Sequence, residues 1–414
     1  MENYLGRFHV NSAESDENSS KSPFDHWTSV GISLYMTLVG YGVLVGIPVI
    51  STAWVKLLGF SEVEVGYLAA ADLGGLSLGA FISSLFISRF NRRFMVIFAI
   101  LLAVTANWLC ISWVDYQQVL YLRLLAGLGS GIYTAVAVSS LGATSKPALA
   151  YNAMLFAFAF SQALELHFLP LLSMSGIYSV FIFFFMLTVP FIRWIPAHAL
   201  KDLDAENGAP DAQTLIENGI SATIPKYVPW LCLLAMVITY VNIGSYWTYI
   251  ELAALSDTAT PSWTGQVLVW SSFCSIIGCA FATLLSNRFG LIRPLLVALF
   301  TMACAVGLLA NGIDDITLLV SVFSFNLLWI FIDVYQMSTI ANIDVAGKYA
   351  AMMPAAQGLG QIIGPIVSAS LLDFELGYSS IFLMCSGAAL LAMGIYFYMF
   401  LTFRKKIPEF AYVS

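Results

Sequence analysis

The sequence is dominated by twelve apolar runs of roughly twenty residues each, set apart by charges or turn residues. They lie at about 29–54, 66–88, 94–113, 118–141, 149–172, 177–195, 228–250, 266–286, 294–311, 317–340, 350–372 and 379–403. A bilayer hydrocarbon core about 30 Å thick is crossed by a helix of roughly 20 such residues. The pattern predicts an all-α membrane protein with twelve transmembrane helices.

Composition closes off the alternatives. With 59% hydrophobic and 10% charged residues, against about 45–50% and 25% in soluble domains, the chain cannot cover two or three globular cores with polar surface. A net charge of -7 and no cluster of Lys and Arg outside short loops exclude nucleic acid as a partner. Cys110, Cys232, Cys274, Cys279, Cys304 and Cys385 all fall inside apolar runs and are expected to be small buried hydrophobes. His9, His26, His167 and His198 are scattered, so neither a metal centre nor a disulfide framework is expected. No Gly-x-x-x-x-Gly-Lys-Ser/Thr loop occurs, which excludes direct ATP hydrolysis through that motif. No cofactor is expected.

Basic residues mark sidedness, because they stay on the cytoplasmic side. All Lys and Arg except Lys56 and Arg123 fall in the even-numbered loops or the two tails. The odd-numbered loops carry acids, among them Glu62, Glu64, Asp115, Asp257, Asp314, Asp315, Asp373 and Glu375. Both termini are therefore expected inside, in a plasma (inner) membrane. The chain divides into a disordered tail (1–28), a first bundle of six helices (29–195), a linker (196–227) containing KDLDAENGAPDAQ, a second bundle (228–403) and a short tail (404–414). At an offset of 199 residues, ISRFNRR faces SNRFGLI, Tyr41 faces Tyr240 and Gln162 faces Gln361. Matches that fall in corresponding loops and helices point to an internal repeat, hence two pseudo-symmetric six-helix bundles.

Over residues 29–403 this organisation resembles the major facilitator superfamily. The loop motif that family carries after its second helix stands here as SLFISRFNRR, with Ser84, Ser88 and Asn91 where the family has Gly, Asp and Gly. Its second copy, TLLSNRFG, has Asn287 in place of the acid. RLLAGLGSG matches the fourth-helix motif with Arg123, Gly127, Gly129 and Gly131 in register, and GLGQIIGP lies in the eleventh helix. The resemblance implies an inner gate at Ser88, Arg89, Arg92, Arg93, Asn287 and Arg288. It also implies a central cavity lined by the first, fourth, seventh and tenth helices.

Ionisable groups within spans are costly, about 2.5–3.5 kcal/mol each on insertion scales, and so mark pathways or relays. Asp72, Arg123 and Glu165 fall at one depth of the second, fourth and fifth helices. They are expected either to form a proton-coupling network or, for Asp72 and Arg123, to act as static glue on glycine-lined faces. His167, two positions from Glu165, points to the other side of its helix. Asp333 shares a stripe with Asn326 and, more loosely, Gln336, and the first and seventh helices carry Tyr41, Tyr240, Asn242 and Tyr246. These seven are the expected substrate pathway, although aromatic residues near helix ends also serve as interface anchors. The expectation is a secondary active transporter that moves a small organic solute by alternating access, coupled to protons and working as a monomer. A uniporter, a sodium-coupled carrier and a non-transporting receptor are the rivals.

Overall fold

A computed structural model of the protein describes residues 23–87, 89–197, 225, 227–286, 290–343, 349 and 352–403. Among these residues twelve helices are long and apolar enough to span a membrane: α1 (Trp27–Leu58), α2 (Glu62–Phe86), α3 (Arg92–Ser112), α4 (Tyr116–Gly142), α5 (Leu149–Leu171), α6 (Met174–Trp194), α7 (Val228–Ser256), α8 (Pro261–Leu285), α9 (Ile292–Asn311), α10 (Asp315–Ile340), α11 (Met353–Asp373) and α12 (Gly377–Thr402). Among the described residues there is no strand.

Polar residues at the helix ends explain where the spans begin. Ser61 and Glu64 form a reciprocal capping box at the start of α2, and Asp115 and Ser173 accept from backbone N–H groups at the starts of α4 and α6. Each supplies an acceptor to donors that the first helical turn leaves unpaired. Asp314 does the same for α10, accepting from the N–H groups of Ile316 at 3.0 Å and Thr317 at 2.7 Å. At the far end of α1, Gly59 takes the left-handed conformation at φ 73° and its N–H closes back onto Trp54 and Val55. α1 itself is interrupted at Tyr41, where the backbone leaves helical geometry between Gly40 and Gly42.

The two bundles repeat each other in register. In the first, α2 and α4 lie so close that Cβ atoms on Gly75, Gly79, Gly127 and Gly131 would run into backbone of the facing helix. In the second, Gly278 of α8 meets the Leu327 carbonyl of α10 just as Gly79 meets that of Leu128. Both members of the pair are shifted by the 199 residues that align the sequence halves. Close backbone approach through small residues is how membrane helices gain packing when lipid supplies no hydrophobic drive.

One end of the molecule carries Glu62, Asp115, Asp257, Asp315 and Asp373, and the other carries Arg89, Arg92, Arg93, Lys146, Arg193 and Arg293. At the acidic end the bundles are tied together. Trp247 donates its indole N–H to the Val45 carbonyl at 3.3 Å, and the Tyr249 hydroxyl donates to the Glu62 carbonyl at 3.0 Å. Along α2 and α11 the seam continues from Gly66 beside Pro365 and Ala369, through Gly74 beside Ile362, to Ser77 beside Gly358.

Candidate functional site

The expected cluster of Asp72, Arg123 and Glu165 separates into two sites. Arg123 and Asp72 pair at 3.3 Å with side chains 1% and 2% exposed, the one ion pair among the described residues. Arg123 also donates to Asn107 Oδ1 at 2.8 Å, and its guanidinium lies 5.0 Å from the centre of the Tyr178 ring. Tyr178 in turn accepts from the Trp54 indole at 3.1 Å. One cation thus draws together α1, α2, α3, α4 and α6, and its charge is met by a carboxylate, an amide and a ring face. The Arg123 Nε alone of its guanidinium nitrogens is buried without a hydrogen-bond partner among the described residues, and a buried pair tied to several helices organises its surroundings.

Glu165 lies elsewhere. Its Oε1 accepts from Ser161 at 3.2 Å, while Oε2 is enclosed without a hydrogen-bond partner among the described residues. The carboxylate presses against α1, where a Cβ on Gly46 would stand 3.0 Å from Oε2. Depth counted along a helix gives a level but not an azimuth, which is why the sequence joined three charges that the fold divides. His167 is exposed and stands edge-on to Phe168.

The second site is centred on Asp333. The Tyr240 hydroxyl lies 2.7 Å from Oδ1 and 2.6 Å from Oδ2, and Gln357 of α11 donates to Oδ1 at 3.3 Å. Trp329, one turn before Asp333 on the same face of α10, reaches the Tyr240 hydroxyl. From the other bundle Tyr41, at the interruption of α1, comes within electrostatic reach of both Asp333 and Tyr240. Its ring meets Phe158 of α5 edge-on at 5.4 Å. The repeat-related tyrosines thus converge on one carboxylate, and Tyr41, Phe158, Trp329, Asp333 and Gln357 all remain part-exposed.

The other residues expected along the pathway go to different places. Tyr246 is wholly buried, hydrogen-bonded to Ser321 at 2.9 Å and stacked on Phe325 at 4.0 Å. Gln336 donates to Thr239 at 2.8 Å inside the second bundle, and Asn242 is buried on α7, whose backbone there meets Cys385 of α12. These three are core residues of the second bundle, and the correction has one cause: α7 is buried on nearly every face, so sequence alone could not tell the lining side from the packed side. Asn326 has a different role. It accepts from Gln162 of α5 at 3.3 Å and donates to Ser271 of α8 at 3.1 Å, bridging the two bundles near mid-span.

At the basic end Arg92 donates to Ser140 at 3.1 Å and to Ser139 at 3.2 Å, with its guanidinium 4.8 Å from the Phe24 ring. Arg93 donates to the Ile195 carbonyl at 2.7 Å and the Arg193 carbonyl at 2.8 Å. Both arginines bond within the first bundle, not across to the second, and Asn91 caps α3 by accepting from the Arg93 N–H at 2.9 Å. Arg89 is exposed. Ser88, Asn287 and Arg288 lie outside the described residues. Of the cysteines expected to be buried, Cys304 is exposed on α9, and Cys274 and Cys279 are half-buried.

Sequence reasoning missed several participants. Glu251 is buried near the acidic end of α7, where Thr52 bonds it and Lys56 of α1 faces it across the bundle interface. Its signal was present, an acid at the end of an apolar run, but the seventh span was drawn to stop one residue earlier. Gln357, Phe158, Trp329 and Asn107 are neutral, and a neutral residue in a span carries no cost that would single it out.

The family profile described as Major Facilitator Superfamily matches residues 32–348, well over half of the chain. The protein belongs to that superfamily of membrane transporters and is an integral membrane protein. Its fold is similar to that of the nucleoside transporter NupG, with TM-score 0.68 and 10% identity over 90% of this chain and 99% of that one. A D-xylose-proton symporter superposes with TM-score 0.67 and 16% identity, covering 92% of this chain and 97% of the other. Tetrameric PepTSo2 does so with TM-score 0.68 and 12% identity, over 91% and 99%. No curated protein matches the sequence.

Proposed function

We propose that this chain is a proton-coupled secondary active transporter that carries a small organic solute across the plasma (inner) membrane by alternating access. In this reading both termini and the 196–227 linker lie in the cytoplasm, the bundles 29–195 and 228–403 rock about a shared central site, and a monomer suffices. The observation that carries it is the convergence of Tyr41 from one bundle with Tyr240, Asp333 and Gln357 from the other on a part-exposed site. A site shared between repeats is what rocking can expose to each side in turn. The bonds of Trp247 and Tyr249 across the acidic end correspond to the outer gate in its closed position. Glu165, a carboxylate with one oxygen unpartnered against α1, is the proton carrier in this scheme, and Asp72 and Arg123 hold the first bundle rigid. That one structural neighbour is a D-xylose-proton symporter agrees with proton coupling.

The test is flux in sealed vesicles containing the purified protein, with and without an imposed pH gradient. Solute accumulation that follows the pH gradient, and that Glu165→Gln abolishes while exchange of unlabelled for labelled solute persists, is the expected result. Flux indifferent to the pH gradient would make the protein a uniporter, or a sodium-coupled carrier if a sodium gradient drives it.

A further inference from the structure

Two acids within the spans differ in how their charge is met. Asp72 has Arg123. Asp333 has only neutral partners among the described residues: the Tyr240 hydroxyl and the Gln357 amide. The groups packed around it offer no cation. α1 brings the Tyr41 phenol, α7 the Tyr240 phenol, α10 itself Trp329 and α11 Gln357, with Phe158 of α5 behind Tyr41. Further along α10, α8 presents Ser271 to Asn326 and α12 presents Tyr396 to Gln336. Glu165, the other acid on this side of the first bundle, faces Gly42 and Gly46 of α1. Of the described arginines at the basic end, Arg92 and Arg93 are engaged within the first bundle, Arg89 is exposed and Arg293 lies over the Phe400 ring. The position in the first bundle that corresponds to Asp333 at the 199-residue offset is Thr134, so the mirror-related element supplies no charge either.

A carboxylate in a low-dielectric site is neutralised by a proton or by a cation that comes to it. A proton has no need of ring faces. Aromatic side chains gathered beside one acid suit an organic cation, since ring quadrupoles attract positive charge and the carboxylate fixes its position. Resting on the transport reading above, we propose that the Asp333 site takes a small organic cation, an amine or quaternary ammonium, held by the carboxylate beside the rings of Tyr41, Tyr240 and Trp329. One carboxylate cannot hold a proton and an ammonium at once, so proton and cation compete for Asp333, while Glu165 carries the proton that drives the cycle.

Choline and tetraethylammonium are the cationic probes, and 3,3-dimethylbutan-1-ol, the uncharged isostere of choline, is the control; binding to the full chain in lipid nanodiscs is read by calorimetry and by tryptophan fluorescence. The expected result is that at least one cation binds at least tenfold more tightly than the uncharged control. Its apparent Kd should rise toward tenfold for each pH unit below the titration of the site, as competition with a proton requires. Asp333→Asn should remove both the affinity and its pH dependence while the variant melts at or above the wild-type temperature, and Asp333→Glu should restore part of each. Equal binding of the uncharged isostere, cation binding unchanged in Asp333→Asn, or no binding of either cation overturns the proposal. Gradient-driven flux of an uncharged solute without cation binding would overturn the cation assignment and leave the transport reading standing. Cation binding without gradient-driven flux would do the reverse.

Discussion

The two bundles share one backbone plan and spend their charges in opposite ways. In the first, position 72 is an acid matched by Arg123, Asn107 and the Tyr178 ring. The equivalent position in the second, Ser271, meets the neutral Asn326. In the second bundle the acid stands at position 333, where the first has Thr134, and no described cation answers it. The first bundle thus uses charge to fix its own helices, whereas the second leaves charge open toward the interface between them. Symmetry in packing, marked by Gly79 against Leu128 and Gly278 against Leu327, coexists with asymmetry in electrostatics. The lesson is that the repeat governs how helices meet, and substitutions on it decide what the meeting surfaces do.

The comparison can be broken most sharply at Asp72. Asp72→Ala leaves Arg123 buried without its carboxylate and should cost about 3–5 kcal/mol, whereas replacing both members by leucine should be close to neutral; thermal melting in nanodiscs distinguishes the cases. A second variant as stable as the double replacement would show that the pair is not the tie of the first bundle. Next in size, Gly79→Ala and Gly278→Ala should each force a helix pair apart at a cost of about 1–3 kcal/mol. Markedly unequal losses would break the claim that the two seams are equivalent. Asp333→Asn, by contrast, should leave melting unchanged or raise it slightly, because an unanswered charge is removed from a low-dielectric site; a large loss would place Asp333 among the structural ties with Asp72.

The smallest effect is expected at the surface. Hydrogen bonds from the Thr317 backbone and hydroxyl, and from the Ile316 N–H, hold the Asp314 carboxyl below the usual carboxylate range. A depressed value means that the folded state favours the ionised form, so this contribution is full above the unfolded value of about 3.9 and is lost as the pH falls below it. Asp314→Ala should therefore lower the melting temperature a little at pH 7, and the difference from wild type should vanish in acid.

Much of the architecture could be read from residues alone, because length and apolarity fix spans without reference to tertiary structure. The 199-residue offset pairs Tyr41 with Tyr240; Tyr240 bonds Asp333, and Tyr41 comes within its electrostatic reach. The salt bridge of Asp72 with Arg123 was legible because charges in spans are rare and these two sit at one depth on glycine-lined stripes. What failed was azimuth. Glu165 shares their level but turns toward α1, and Tyr246 and Gln336 share helices with Tyr240 and Asp333 but face the interior of the second bundle. A helix buried all round has no periodic contrast between its faces, so α7 offered no sign of which polar residues line a path. The arginines after α2 gave the opposite difficulty: a family motif suggested a gate, while Arg92 and Arg93 find their acceptors within one bundle.

The seam at the acidic end has a consequence for how sequence can drift. Two of its hydrogen bonds end on main-chain carbonyls, those of Val45 and Glu62, whereas their donors are side chains, Trp247 and Tyr249. Any residue type at 45 or 62 presents the same oxygen, so these two bonds survive mutation on that side. For them the burden of heredity falls on the indole and the phenol of α7.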